Sequence, residues 1–108
     1  MPTEGLYTPL ALASANGRVE ASRFLIERGA NVNTHNKDGW IPCHLASLKG
    51  HLDVVLLLVE HGANVDTWTG DHHTPLTLAS VNGMIEVSHF LIDRGADVNF
   101  REFTTRVA

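Results

Sequence analysis

Apolar positions along the chain fall into alternating short and long runs separated by glycine. A short run of small and apolar residues, LALASAN from Leu10, stops at Gly17, and a longer one ending FLIER stops at Gly29. The same order recurs in CHLASLK before Gly50 and LDVVLLLVEH before Gly62, and again in LTLASVN before Gly83 and IEVSHFLIDR before Gly95. Each short run predicts a first helix of about eight residues, because proline at its first position loses no needed N–H and glycine closes it. Thr8 and Thr74 stand where a hydroxyl can cap the first orphan amides. Each longer run predicts a second helix with an acid in its first turn (Glu20, Asp53, Glu86) and Arg28, His61 or Arg94 at its end, which complements the helix dipole. In the middle unit Leu52, Val54, Val55, Leu57, Leu58 and Val59 cover more than one face, as suits a helix packed between neighbours on both sides.

The markers keep one period. Pro9, Pro42 and Pro75 are 33 residues apart, as are Gly17, Gly50 and Gly83, and Gly29, Gly62 and Gly95. Units fall at 3–35, 36–68 and 69–101, with 102–108 as the opening of a fourth, so that 1–108 is expected to form a single repeat domain. A pair of short helices cannot bury such a surface alone, so the units must stack, each against the next. Units 1 and 3 share an NG…E…S…FLI…RGA skeleton that unit 2 lacks, which gives a 66-residue super-period.

These strings, TPLALA…NG…FLIERGANVN, HLASLKGHLDVVLLLVEHGANVD and TPLTLASVNGMIEVSHFLIDRGADVN, resemble the ankyrin repeat over essentially the whole chain. The resemblance implies an all-α repeat solenoid of stacked helix-turn-helix units, with short β-hairpin or loop tips projecting sideways. Tips and first helices would form a concave face that binds other proteins. The family's Thr-Pro-Leu-His tetrapeptide is complete nowhere. Thr8-Pro9-Leu10-Ala11 and Thr74-Pro75-Leu76-Thr77 lack the histidine, and Ile41-Pro42-Cys43-His44 lacks the threonine. The turn glycine survives only at Gly39, its counterparts being Leu6, His72 and Thr105, so two tips are expected to be irregular.

Composition narrows the function. With 44% apolar and 19% charged residues, spread rather than blocked, the chain reads as folded, and 108 residues can bury roughly two thirds of their unfolded surface. A net charge of −4 supplies no basic stripe for nucleic acid, and no apolar run is long enough for a membrane. One cysteine allows no internal disulfide and no signal peptide is evident, which points to an intracellular, cytoplasmic or nuclear setting.

Catalytic and metal chemistry find little support. By the resemblance Cys43 takes a core position and His44 a scaffold position bonding backbone across repeats; adjacent side chains on a helix also leave it about 100° apart, poor for chelation. Asp71, His72 and His73 are the right ligand types for a metal but lack ligand spacing and a fourth partner. Ser14, Ser47 and Ser80 recur with no paired base. The expectation is a non-enzyme without cofactor or metal.

Residues that vary on a constant scaffold are the candidates for a partner-binding face. Alignment of the units places Tyr7, Trp40 and His73 just before the tetrapeptide, where the family's tips meet ligands. His35, Trp68 and Arg101 fall at the repeat junctions, and Ala15, Leu48 and Val81 with Asn16, Lys49 and Asn82 at the first-helix ends. Aromatic anchors with a polar margin are the composition of binding hot spots. A plainer role for Trp40 and Trp68 is packing tip against tip. Leu56 stands between Arg23 and His89 on a normally polar side. Asn33 and Asn99 occupy positions where ankyrin proteins are sometimes hydroxylated, with a loop hydrogen bond as the plainer role.

The expected partner is a protein; the alternative is a spacer segment of a longer array. Val81, Ile85, Val87, Phe90, Leu91 and Ile92 are expected to leave a stacking surface open after unit 3, with weak self-association as the consequence.

Overall fold

The structure is a computed structural model that describes residues 6–101. Six helices follow in pairs. The inner helices are α1 (Pro9–Ala15), α3 (Pro42–Lys49) and α5 (Pro75–Val81); the outer ones are α2 (Val19–Glu27), α4 (Leu52–Glu60) and α6 (Ile85–Asp93). Each inner helix packs on the outer helix that follows it and on the next inner helix, and outer helices contact their neighbours less extensively. The expected solenoid is thus formed.

Helix starts follow the predicted chemistry, with one substitution. Thr8 Oγ1 accepts from the Ala11 amide at 3.1 Å. At α5 the bonding is reciprocal: Thr74 Oγ1 accepts from the Thr77 amide at 3.1 Å, and Thr77 Oγ1 accepts from the Thr74 amide at 2.8 Å. Ile41 has no hydroxyl to offer, yet its amide is satisfied by His44 Nδ1 at 3.0 Å. The other nitrogen, Nε2, must then carry the proton and donates to the Thr67 carbonyl at 3.0 Å. One imidazole therefore fixes both the start of α3 and the junction to unit 3.

The core lies between inner and outer helices, built from Leu10, Ile41, Cys43, Ala46, Val54, Val55, Leu58, Leu76, Ala79, Val87 and Leu91. Stacking brings adjacent units close at the inter-helix turns. A Cβ on Gly17 would come within 2.8 Å of the His51 ring, whose Nε2 bonds the Ala15 carbonyl at 3.2 Å. Glycine at that turn is a condition of stacking as well as of its left-handed φ of 70°.

Four positions face the next unit, and their burial records what covers them. Ala15 and Val32 are buried in unit 1, with Val19 and Ile26 partly so; Leu48, Leu52, Val59 and Val65 are partly buried in unit 2; Val81, Ile85, Ile92 and Val98 are exposed in unit 3, Val81 and Ile85 by 77% and 76%. Two of the side chains expected on this open surface are elsewhere: Val87 and Leu91 are buried, because they point at α5 rather than along the stack, and Phe90 is half-buried. Leu12 and Phe24 form the corresponding exposed face of unit 1.

Candidate functional site: a groove between two repeat tips

Among the described residues the tips of units 2 and 3 contain no strand, and each is a hydrogen-bonded turn in place of the expected β-hairpin; the start of the unit 1 tip, Thr105 and the opening of a fourth unit at 102–108 lie outside the described residues. In unit 2 the Asn36 amide donates to the Trp40 carbonyl at 3.1 Å, while Asn36 Oδ1 accepts from the Asp38 and Trp40 amides, both at 3.0 Å. Unit 3 repeats the design with a hydroxyl. The Thr69 amide donates to the His73 carbonyl at 3.0 Å, and Thr69 Oγ1 accepts from the Asp71 and His73 amides at 3.2 Å. Where Gly39 has φ 84°, His72 takes φ 67°. The unit 3 tip is thus regular despite the lost glycine, at a conformational cost of roughly 1–2 kcal/mol for a side chain in the left-handed region. The tips are tied together by the Gly70 amide donating to the Asp38 carbonyl at 2.8 Å. A Cβ on Gly39 would lie 3.0 Å from the Gly70 nitrogen, so this approach requires glycine on the unit 2 side.

The inner helices present a second apolar cluster towards the tips: Ala11, Ala15, Trp40, Leu45 and Leu78, with Tyr7 and Leu48 packed against it. Trp40 was expected to project towards a ligand, but only 8% of it is exposed. Its ring fits over the small Ala11 and Ala15 and meets the His44 ring edge-on at 5.7 Å. Tyr7 is half-buried beside it; burial and the nearby Asp38 charge push its phenol pKa up, against a hydrogen bond to Asn36.

Between the two tips and the inner helices lies a cavity of about 450 Å³, lined by Asp38, Trp40, Leu48, Gly70, Asp71, His73 and Leu78. Three expected contact residues, Trp40, Leu48 and His73, meet here. The others are dispersed. Trp68, 54% exposed, stacks on His72 at 6.2 Å and on Phe100 at 5.7 Å. With His35 it lines a separate cavity of about 590 Å³ that shares Asp38 and Gly70 with the first, so the two cavities flank the same pair of tips. Asn16 and Asn82 are exposed, but each spends its amide on its own helix, donating to the Leu12 and Leu78 carbonyls at 2.8 and 2.9 Å. Lys49 and Arg101 are exposed, and Val81 lines a third cavity on the open face of unit 3. Leu56, half-buried, lines a shallow groove between α4 and α6.

Asp38 and Leu78 are not among the expected contact residues, and Asp71 enters the sequence reading only as a candidate metal ligand. The available signal was the repeat itself, since the two aspartates stand 33 residues apart at equivalent tip positions and Leu78 is the equivalent of Leu45.

The remaining candidates take structural roles. Cys43 is fully buried, 3.9 Å from Ser47 Oγ; burial pushes its thiol up to about 12, against the Ser47 hydrogen bond, so no thiolate forms near neutral pH. Burial lowers His44 to about 4, although hydrogen bonds to the Thr67 and His73 backbone oppose the shift, and it stays neutral. Among the described residues no three His, Cys, Asp or Glu side chains converge on a metal position, and Asp71, His72 and His73 gather no further ligand. Asn33 bridges two loops, with Nδ2 donating to the Gly62 carbonyl at 3.0 Å and Oδ1 accepting from the Asn64 amide at 2.9 Å. Asp66 repeats half of that bridge, accepting from the Asp97 amide at 3.0 Å. No described helix is long and apolar enough to cross a membrane.

No curated protein matches the chain at a significant level. The family model described as ankyrin repeats (3 copies) matches residues 10–102, a range that runs from the second residue of α1 past the end of α6, and the chain belongs to the ankyrin repeat family.

Proposed function

We propose that this chain is a non-enzymatic binding module that captures a segment of a partner protein in the groove between the tips of units 2 and 3. Ankyrin repeats generally mediate protein–protein interaction, and the observation that supports this face is the 450 Å³ cavity with half-buried Leu48 in its wall. Behind that wall the scaffold is rigid. Pro42, Cys43, His44, Leu45, Ala46 and Ser47 are all buried, so the groove is held by a helix with little freedom to rearrange, which lowers the entropic cost of binding. Trp40 stiffens the wall from inside, Tyr7 supports it, and Leu48 and His73 make contact. Lys49, Asn16, Asn82 and Arg101 form an outer polar margin; Trp68 and Val81 would serve only a partner that extends beyond the groove.

Because Trp40 is buried, replacing it by alanine would disturb the scaffold. Leu48→Glu is the sharper test, since Leu48 has a free edge and sits near a helix end. The expected outcome is loss of partner capture with unchanged circular dichroism and a thermal midpoint lowered by the lost packing on the Trp40 cluster; capture that survives Leu48→Glu would remove this groove from the function.

A second reading is favoured by the exposed Val81, Ile85, Ile92 and Val98. These are stacking positions, and the chain would then serve as a spacer whose face takes a further repeat or, weakly, a second copy. Concentration-dependent sedimentation reduced by Val81→Glu supports it; a monomer at all concentrations contradicts the self-association. A single buried cysteine fits a reducing compartment, and we place the protein inside the cell, in cytoplasm or nucleus.

A further inference from the structure

The groove's polar groups say which segment it takes. We infer that it is selective for a stretch carrying a lysine or arginine next to a large aliphatic residue, an inference that rests on the groove being the binding face. The two aspartates occupy equivalent positions in successive tips, Asp38 giving its carbonyl to the Gly70 amide and Asp71 following Gly70, and both line the cavity whose apolar lining is Leu48, Leu78 and Trp40.

Neither carboxylate is met by a lysine or arginine ion pair among the described residues, whose ion pairs lie on the outer helices. Lys37, the cation nearest in sequence, lines the other cavity. Asp38 and Asp71 enter the hydrogen bonds of the tips through their backbone atoms and not their carboxylates, so the acidic side chains are not consumed by the scaffold. Two acids from neighbouring tips over an apolar floor complement a cation carried on an aliphatic stem, whose methylenes pack on leucine while the charge reaches the rim. The chain's net charge of −4 adds to the field and repels acidic segments and phosphate groups.

A space of this volume is about 8 Å across, which an extended chain crosses in two to three residues at about 3.3 Å each. Base and aliphatic residue should therefore stand within three positions of one another. Charge-assisted hydrogen bonds of this kind change affinity by about tenfold to a hundredfold.

The test is selection of random twelve-residue peptides displayed on phage against the native chain, followed by affinity measurement on the enriched peptides made synthetically. Enrichment of Lys or Arg within three positions of Leu, Ile or Met is expected. Asp38→Asn combined with Asp71→Asn, near-isosteric and without effect on the tip's backbone bonds, should weaken those peptides by tenfold to a hundredfold and flatten their salt dependence, with the thermal midpoint unchanged. Enriched peptides that lack a base, or that bind the double variant equally well, would overturn the charge selectivity while leaving the binding module standing. If Leu48→Glu also left those peptides bound, the groove itself would be excluded. Enrichment of no peptide at all would overturn both readings.

Discussion

Units 2 and 3 share a backbone plan and differ in what covers them. Val54 and Val87, Leu58 and Leu91, Ala46 and Ala79 are equivalent pairs and equally buried, because each points at its own unit's helix partner or towards the preceding unit. Leu48 and Val81, or Leu52 and Ile85, are equivalent too, but the first of each pair is partly covered and the second exposed. Burial in this fold belongs to the junction more than to the residue. A single side chain's hydrophobicity therefore says little until its direction along the stack is known.

The largest effects should separate those two classes. Leu58→Ala, in the middle of the core, is expected to cost about 2–5 kcal/mol in urea unfolding, whereas Ile85→Ala on the open face should change stability by less than about 0.5 kcal/mol. Equal costs would break the comparison.

His44 gives unit 2 a pH dependence that unit 3, with Thr77 at that position, lacks. Its folded pKa of about 4 lies below the ordinary 6.5, so the unfolded chain takes up the proton first. Stability is full above pH 6.5 and falls as the pH drops towards 4. At pH 5 the loss from this group is about 2 kcal/mol. Replacing both Ile41 and His44 by threonine would copy the capping pair of α5 and should flatten the stability profile between pH 7 and 5; an unchanged slope would assign it to other groups.

The tips give the smallest difference. Gly39→Ala should cost about 1–2 kcal/mol through its left-handed φ and the contact with Gly70, while His72→Gly should gain up to about 1 kcal/mol by relieving the same conformation. Thermal denaturation of both variants sharpens the contrast, and a loss on His72→Gly would show that its stacking on Trp68 outweighs the strain.

Much of this architecture was legible in the sequence, because helix boundaries depend on local chemistry. Prolines at the first helical positions and glycines at the ends act over a few residues, and their period exposed the stack. The groove was less legible for reasons that are not local. Trp40 reads as a projecting aromatic, and only the small size of Ala11 and Ala15 one unit away gives its ring a place to lie. Asn16 and Asn82 read as a polar margin, although their own helix carbonyls take their amide protons. Asp38 reads as an ordinary surface charge and Asp71 as no more than a weak metal-ligand candidate. Their significance depends on two tips being clasped by one backbone bond, and that contact spans 32 residues of sequence.

The central claim is that function lies in the groove between units 2 and 3 and not on the open face of unit 3. Amide hydrogen exchange of the chain with and without a captured partner segment tests it most directly. New protection confined to 38–48 and 70–78 is the predicted result. Protection confined to 81–98, with the groove unchanged, would contradict the account.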